Sequence, residues 1–174
     1  MKRTFAEIHV SEGLIRADDD ALGPVYWASG VGRVRVFEAA ADLAPYVALH
    51  EYAHLWIHRD YDHDAWLIVD IDEPLAVGAD FVIMPRRIGN TLESFVRQDD
   101  PAEPPPRLHE LRALMPKLIT AATDPVDAFV ARLVAGRLAT PDRNAIYVWA
   151  DQRFYLQDLT PSREELAAWS ALSR

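Results

Sequence analysis

Val47-Ala48-Leu49-His50-Glu51-Tyr52-Ala53-His54-Leu55-Trp56 places two imidazoles four residues apart, with a carboxylate beside the first. On an α-helix, residues i and i+4 lie one above the other, so His50 and His54 can offer ring nitrogens to a single ion. Two neutral imidazoles suit Zn²⁺. Glu51, too close in the chain to be a third ligand, is placed to take a proton from a metal-bound water. The apolar flanks Val47, Ala48, Leu49, Leu55 and Trp56 mark a buried helix, whereas a solvated His-Glu cluster would sit among Lys, Asp and Gln. His58 extends the same stripe, and a ladder of merely hydrogen-bonded histidines is the structural alternative.

Working back from this stretch, Asp42 is an N-cap and Pro45 fits the first turn, which predicts a helix from about Leu43 to His58. Ahead of it, residues 25–28 and 31–37 read as a hairpin turning at Ser29-Gly30. Residues 4–10 alternate apolar and polar and are expected to form a strand with His9 on its polar face. The acidic run Asp18-Asp19-Asp20 before Gly23-Pro24 reads as a solvated turn.

Working forward, residues 59–64 form a polar loop in which His63 is a candidate ligand. Ala65 to Asp72 is a short apolar run ending in D-x-D, whose length and β-branched residues predict a buried strand. Two carboxylates on one strand face, Asp70 and Asp72, are a competing chemical site of the kind that holds divalent ions in phosphodiester enzymes. A short helix is expected within residues 88–97, then a Pro-rich loop at 99–106. Core-facing helices follow over 107–122 and 125–139, then a hairpin over 145–158. A last helix capped by Thr160 closes the pattern.

The 174 residues suit one domain, 1–174, and half of them are hydrophobic, which excludes a disordered chain. No apolar run is long enough to span a bilayer and no signal-peptide core follows Met1, so a soluble cytoplasmic protein without membrane partners is expected. Without cysteine there is no thiolate site, and any metal must be held by His, Asp or Glu. A net charge of −9 argues against nucleic acid as a direct ligand. The class expected is α+β: a small mixed or antiparallel sheet, an active-site helix, further helices and a C-terminal hairpin.

Residues Glu73, Ala76, Ala79, Phe81 and Met84-Pro85, following His50, Glu51, His54 and the tail Ile57-His58, resemble in outline the zincin metallopeptidases of the ImmA/IrrE-like family. In that family a second helix carries a ligand glutamate and ends in a similar Met-Pro stop. The resemblance implies a zincin fold with Zn²⁺ on His50, His54 and Glu73, and Glu51 as general base. It also implies an intracellular protein or peptide substrate of restricted kind, often a DNA-binding regulator. Pro74 and Gly78 would weaken a helix at two points. If residues 66–72 and 81–85 are instead two strands, the transfer to Glu73 fails, and Asp80, Glu93 or His63 become the third-ligand candidates.

Two functions are therefore expected in competition. One is a zinc-dependent peptidase or amide hydrolase; the other is a non-enzymatic acidic binding protein, such as an immunity protein, inhibitor or DNA mimic, with a structural His-rich helix.

Overall fold

The computed structural model describes residues 1–12, 14–28, 32–59, 64–97, 107–139 and 144–174. In chain order its elements are α1 (Phe5–Glu12), β1 (Ile15–Asp20), β2 (Gly23–Ala28), β3 (Gly32–Val36), α2 (Leu43–Arg59), β4 (Val69–Ile71), β5 (Ala76–Val77) and β6 (Phe81–Met84). They continue with β7 (Asn90–Thr91), α3 (Leu92–Arg97), α4 (Leu108–Ala121), α5 (Pro125–Ala139), β8 (Ala145–Val148), β9 (Arg153–Leu156) and α6 (Arg163–Leu172). The class is α+β, with two open sheets. Contacts sort the chain, read above as one domain, into two compact units: 1–51 with 73–86 and 160–174, and 52–72 with 87–159. The expected Pro-rich loop at 99–106 and His63 lie outside the described residues.

The first unit is built on an antiparallel sheet in the order β1-β2-β3-β6-β5. The expected hairpin is β2 against β3. Ile8, Val34 and Phe81 form a core cluster on which Phe5, Leu14 and Tyr26 pack. Residues 5–12 are a helix, not a strand. The backbone N–H of Thr4 donates to Glu7 Oε2 at 2.7 Å and that of Phe5 to Asp80 Oδ1 at 2.7 Å, so two donors of the helix start are met by side chains. Arg35, only 1% exposed, donates twice to Asp20, at 2.8 and 2.6 Å. Such a planar two-bond pairing is what lets a charge lie inside. The last helix is capped not by Thr160 but by Ser162, whose hydroxyl accepts from Glu165 N at 3.0 Å while Glu165 Oε1 accepts from Ser162 N at 3.0 Å.

Residues 73–86 differ from what the family resemblance implies. They form strands β5 and β6 rather than a ligand-bearing helix, with the Leu75 N–H donating to the Ile83 carbonyl at 2.7 Å. Pro74 and Gly78 are poor helix residues, and Ala76 and Val77 pair instead with Ile83 and Val82.

The second unit carries a sheet in the order β4-β9-β8-β7, in which β8 and β9 are the expected hairpin and β4 runs parallel to β9. Residues 65–67, expected at the start of the buried strand, are a 3₁₀ turn instead. In α5, Pro125 takes the first helical position. The Asp124 carboxylate accepts from Val126 N at 2.9 Å and Asp127 N at 3.2 Å. Leu111, Leu114 and Leu118 of α4 and Val130, Leu133 and Val134 of α5 supply the apolar stripes read from the sequence.

Two substitutions test this packing. Gly136 sits inside α5, and a Cβ there would meet no atom within 4 Å. Gly136→Ala is therefore expected to stabilise by about 0.5–1 kcal/mol, by removing backbone freedom from the unfolded chain. Thermal melting would register this as a rise of about 2–4 °C per kcal/mol. Tyr147 is fully buried on β8, and its hydroxyl has no hydrogen-bond partner among the described residues. Tyr147→Phe removes that desolvated group and is expected to leave stability unchanged or raise it by up to about 1 kcal/mol.

Burial also pushes the Tyr147 hydroxyl above the ordinary tyrosine value. The stability this contributes is complete below the unfolded-state value, about pH 10, and is lost as pH rises through the folded one. The Phe variant should lose less stability than wild type in alkaline melts.

Candidate metal centre

The second half of α2 and the strand β4 bring the site together. Val69-Asp70-Ile71-Asp72 alternates as a strand must, so Val69 and Ile71, both fully buried, take one face and the two carboxylates the other. Asp70 is in parallel register with Tyr155 of β9, and Arg153 lies two residues before Tyr155 on the same face. One face of this small sheet is thus polar and charged.

His54 and His58, four residues apart on α2, lie with ring centroids 4.5 Å apart and meet this face. His54 Nδ1 is 2.7 Å from the Ile71 carbonyl and 3.2 Å from Asp70 Oδ1, and His58 Nε2 is 3.0 Å from the same carboxylate oxygen. A carbonyl can only accept, so the Ile71 contact makes Nδ1 a proton-bearing nitrogen of His54. Among the described residues, His54, His58 and Asp70 are a group whose ligand atoms lie within 4.8 Å of one another. The atoms that face one another are His54 Nδ1, His58 Nε2 and Asp70 Oδ1, so an ion held by all three would take the place of the proton that His54 Nδ1 gives the Ile71 carbonyl.

The surroundings hold this group in place. Asp70 Oδ1 accepts from its neighbour Ile71 N at 2.8 Å, and the carboxylate is buried, with Arg153 Nη2 3.9 Å from Oδ2. Asp72, 3% exposed, receives two bonds from Arg87 at 3.2 and 2.6 Å. The hydrogen bond to Asp72 is the largest cause holding the Arg87 guanidinium above its ordinary value. Arg87 and Arg153 both stack on the Tyr155 ring, at 4.0 and 4.9 Å from its centroid. Burial, and then its hydrogen bond to Asp151, pushes the Tyr155 hydroxyl above the ordinary tyrosine range. On the open side, Trp66 stacks on His58 at 5.9 Å, and its carbonyl accepts from Arg153 Nη1 at 3.1 Å. Asp127, at the start of α5, accepts from Tyr52 and from Arg59 at 3.0 Å, which ties this half of α2 to the helical layer.

No family model, curated protein or solved structure matches this chain. The site must therefore be read from its own geometry.

Of the residues expected from sequence, His54 is in the group. His50 is completely buried, its ring 4.5 Å from that of Tyr46, and Glu51 is exposed. Neither belongs to the three-residue group, nor does Glu73, which is exposed at the start of the β5–β6 segment. With no helix over residues 73–85, the ground for carrying the third-ligand role to Glu73 is gone. Of the other candidates, Asp80 accepts from Phe5 N and Glu93 lies in the first turn of α3.

Asp70 and Asp72, expected as a two-carboxylate site, have separate partners: Asp70 meets the imidazoles and Asp72 the Arg87 guanidinium. Arg87, Arg153 and Tyr155 belong to this polar face without being singled out by any motif in the sequence. The signal available for two of them was the alternation of Arg153 and Tyr155 along a hairpin strand.

Proposed function

We propose that this protein is a zinc-dependent hydrolase of amide bonds, with His54, His58 and Asp70 as the metal ligands and Glu51 as general base. The observation that carries the reading is the convergence of two imidazoles and one buried carboxylate within 4.8 Å. Two nitrogens and one oxygen, with no thiolate anywhere in the chain, are a donor set suited to a catalytic zinc that keeps a coordination position open. Zinc so held supplies a water of lowered pKa and polarises a carbonyl. Glu51 keeps the role that the H-E-x-x-H motif gives it, accepting a proton from the water and returning it to the leaving amine. The substrate class is a protein or peptide, of which the DNA-binding regulators implied by the family resemblance are one kind.

The second reading is an acidic binding protein. The observation in its favour is that both rings already have protein acceptors, the Ile71 carbonyl and the Asp70 carboxylate. Metal analysis of tag-free protein separates the two. The hydrolase requires about one equivalent of zinc, and Glu51→Gln should keep that metal while abolishing turnover of a peptide substrate. Protein free of metal even after incubation with excess zinc overturns the hydrolase and leaves the binder. Among the described residues no helix is long and apolar enough to cross a membrane.

A further inference from the structure

The second unit contains a cavity of about 420 Å³ where α4 faces α5. The volume is within the range of about 300–1,000 Å³ that small-molecule sites occupy. Its wall on α4 is a helical stripe, Leu108, Leu111, Met115 and Ile119, and on α5 it is Ala135 and Leu138. Two local causes open the space. Ala135 is a small side chain at a position that looks across to α4. Pro116, inside α4, has no N–H for the Arg112 carbonyl and crowds the turn before it, which loosens the helix there. The lining is aliphatic and contains no aromatic ring.

One lining residue is of another kind. Arg112 is an exposed cation at this cavity, and it has no hydrogen-bond or ion-pair partner among the described residues. Its neighbours a turn away on α4 are Leu108, His109, Met115 and Pro116, so no carboxylate stands at helical spacing from it. Neighbouring arginines are engaged: Arg107, just before α4, with Glu110 at 2.7 Å, and Arg132 of α5 with the Ala128 carbonyl at 3.2 Å. In a chain with 27 acidic and 18 basic residues, a cation left over beside an aliphatic cavity is a complementary site for an anion on an apolar tail.

We infer that this cavity binds a medium-chain aliphatic carboxylate, its tail against the α4 stripe and its head group on Arg112. The site is independent of the metal centre and of the hydrolase reading. The test is calorimetric titration of the full chain with dodecanoate below its micellar concentration. Saturable one-site binding is expected. It should weaken about two- to fivefold in Arg112→Ala, the loss expected of a solvent-exposed ion pair. Binding should disappear in Ala135→Leu, which fills the cavity, or in Ala139→Leu at its exposed rim if the first variant fails to fold. Dodecanol should bind the wild type about as weakly as dodecanoate binds Arg112→Ala. The proposal is overturned if dodecanoate does not saturate, if dodecanol binds as tightly as dodecanoate, or if the filled variants bind unchanged. A second copy of the chain as the occupant would also overturn it, and would show as concentration-dependent dimerisation abolished by the same filling variants.

Discussion

Asp70→Asn and His58→Ala are each expected to weaken the proposed zinc binding by about 100-fold or more, and Glu73→Gln to leave the affinity where it was. Loss of a group that merely orients a metal ligand costs about 10–100-fold, and loss of a ligand itself costs at least the upper end of that range. Asn keeps the shape of Asp70 and can still accept from Ile71 N, so the Asp70→Asn fold is preserved while the anionic donor is removed. Glu73 is exposed, and its replacement is structurally mild. Competition against a chromogenic chelator, with circular dichroism on each variant, reads the three affinities. Retained affinity in Asp70→Asn with loss in Glu73→Gln would return the ligand set to the H-E-x-x-H pair and its downstream glutamate.

Gly32→Ala is expected to destabilise the first unit by about 3 kcal/mol or more, enough to unfold a marginal protein. Gly32 opens β3 with φ +145°, a conformation L-residues rarely adopt, and a Cβ there would stand 2.2 Å from the Met84 carbonyl oxygen. That oxygen belongs to the neighbouring strand β6, so relief requires pulling apart the β3–β6 pairing. Chemical denaturation compared with Gly136→Ala makes a sharp pair. The same chemical change should lower the midpoint at position 32 and raise it at position 136, because the backbone angle and the free space differ. A Gly32→Ala protein as stable as wild type would contradict the tight β3–β6 approach.

Much of the architecture could be read from periodicity. The β2–β3 hairpin, the α2 helix, the α4 and α5 stripes and the β8–β9 hairpin all announce themselves by period and turn residues. The N-terminal segment did not, because in a stretch this short Phe5 and Ile8 fit a helix while Ala6, Ile8 and Val10 alternate with Glu7 and His9. The deciding signal was chemical: Thr4-x-x-Glu7 has the spacing of a capping box, and Glu7 does accept from Thr4 N. Ser162-x-x-Glu165 carries the same signature and marks the start of α6 more faithfully than Thr160.

At the site, all three members were visible as residues but were grouped differently. His50 to His54 and His54 to His58 have identical spacing on one helix, so the spacing alone does not choose between them. Burial chooses: the His50 ring is enclosed beside Tyr46, whereas His54 and His58 reach the polar face of β4. The carboxylate that meets them lies on a strand, and no helical period could have revealed it.

The parallel pairing of β4 with β9 has a consequence for how the protein is made. Asp70 is in register with Tyr155, so the strand that presents this carboxylate docks on a partner from near the far end of the chain. Closing so long a loop is slow compared with forming the helices in between. On the ribosome, the imidazoles of α2 would be synthesised early and wait for the C-terminal hairpin to emerge before the carboxylate is locked beside them. Competence to capture a metal should accordingly appear late in refolding, after most helical signal has returned.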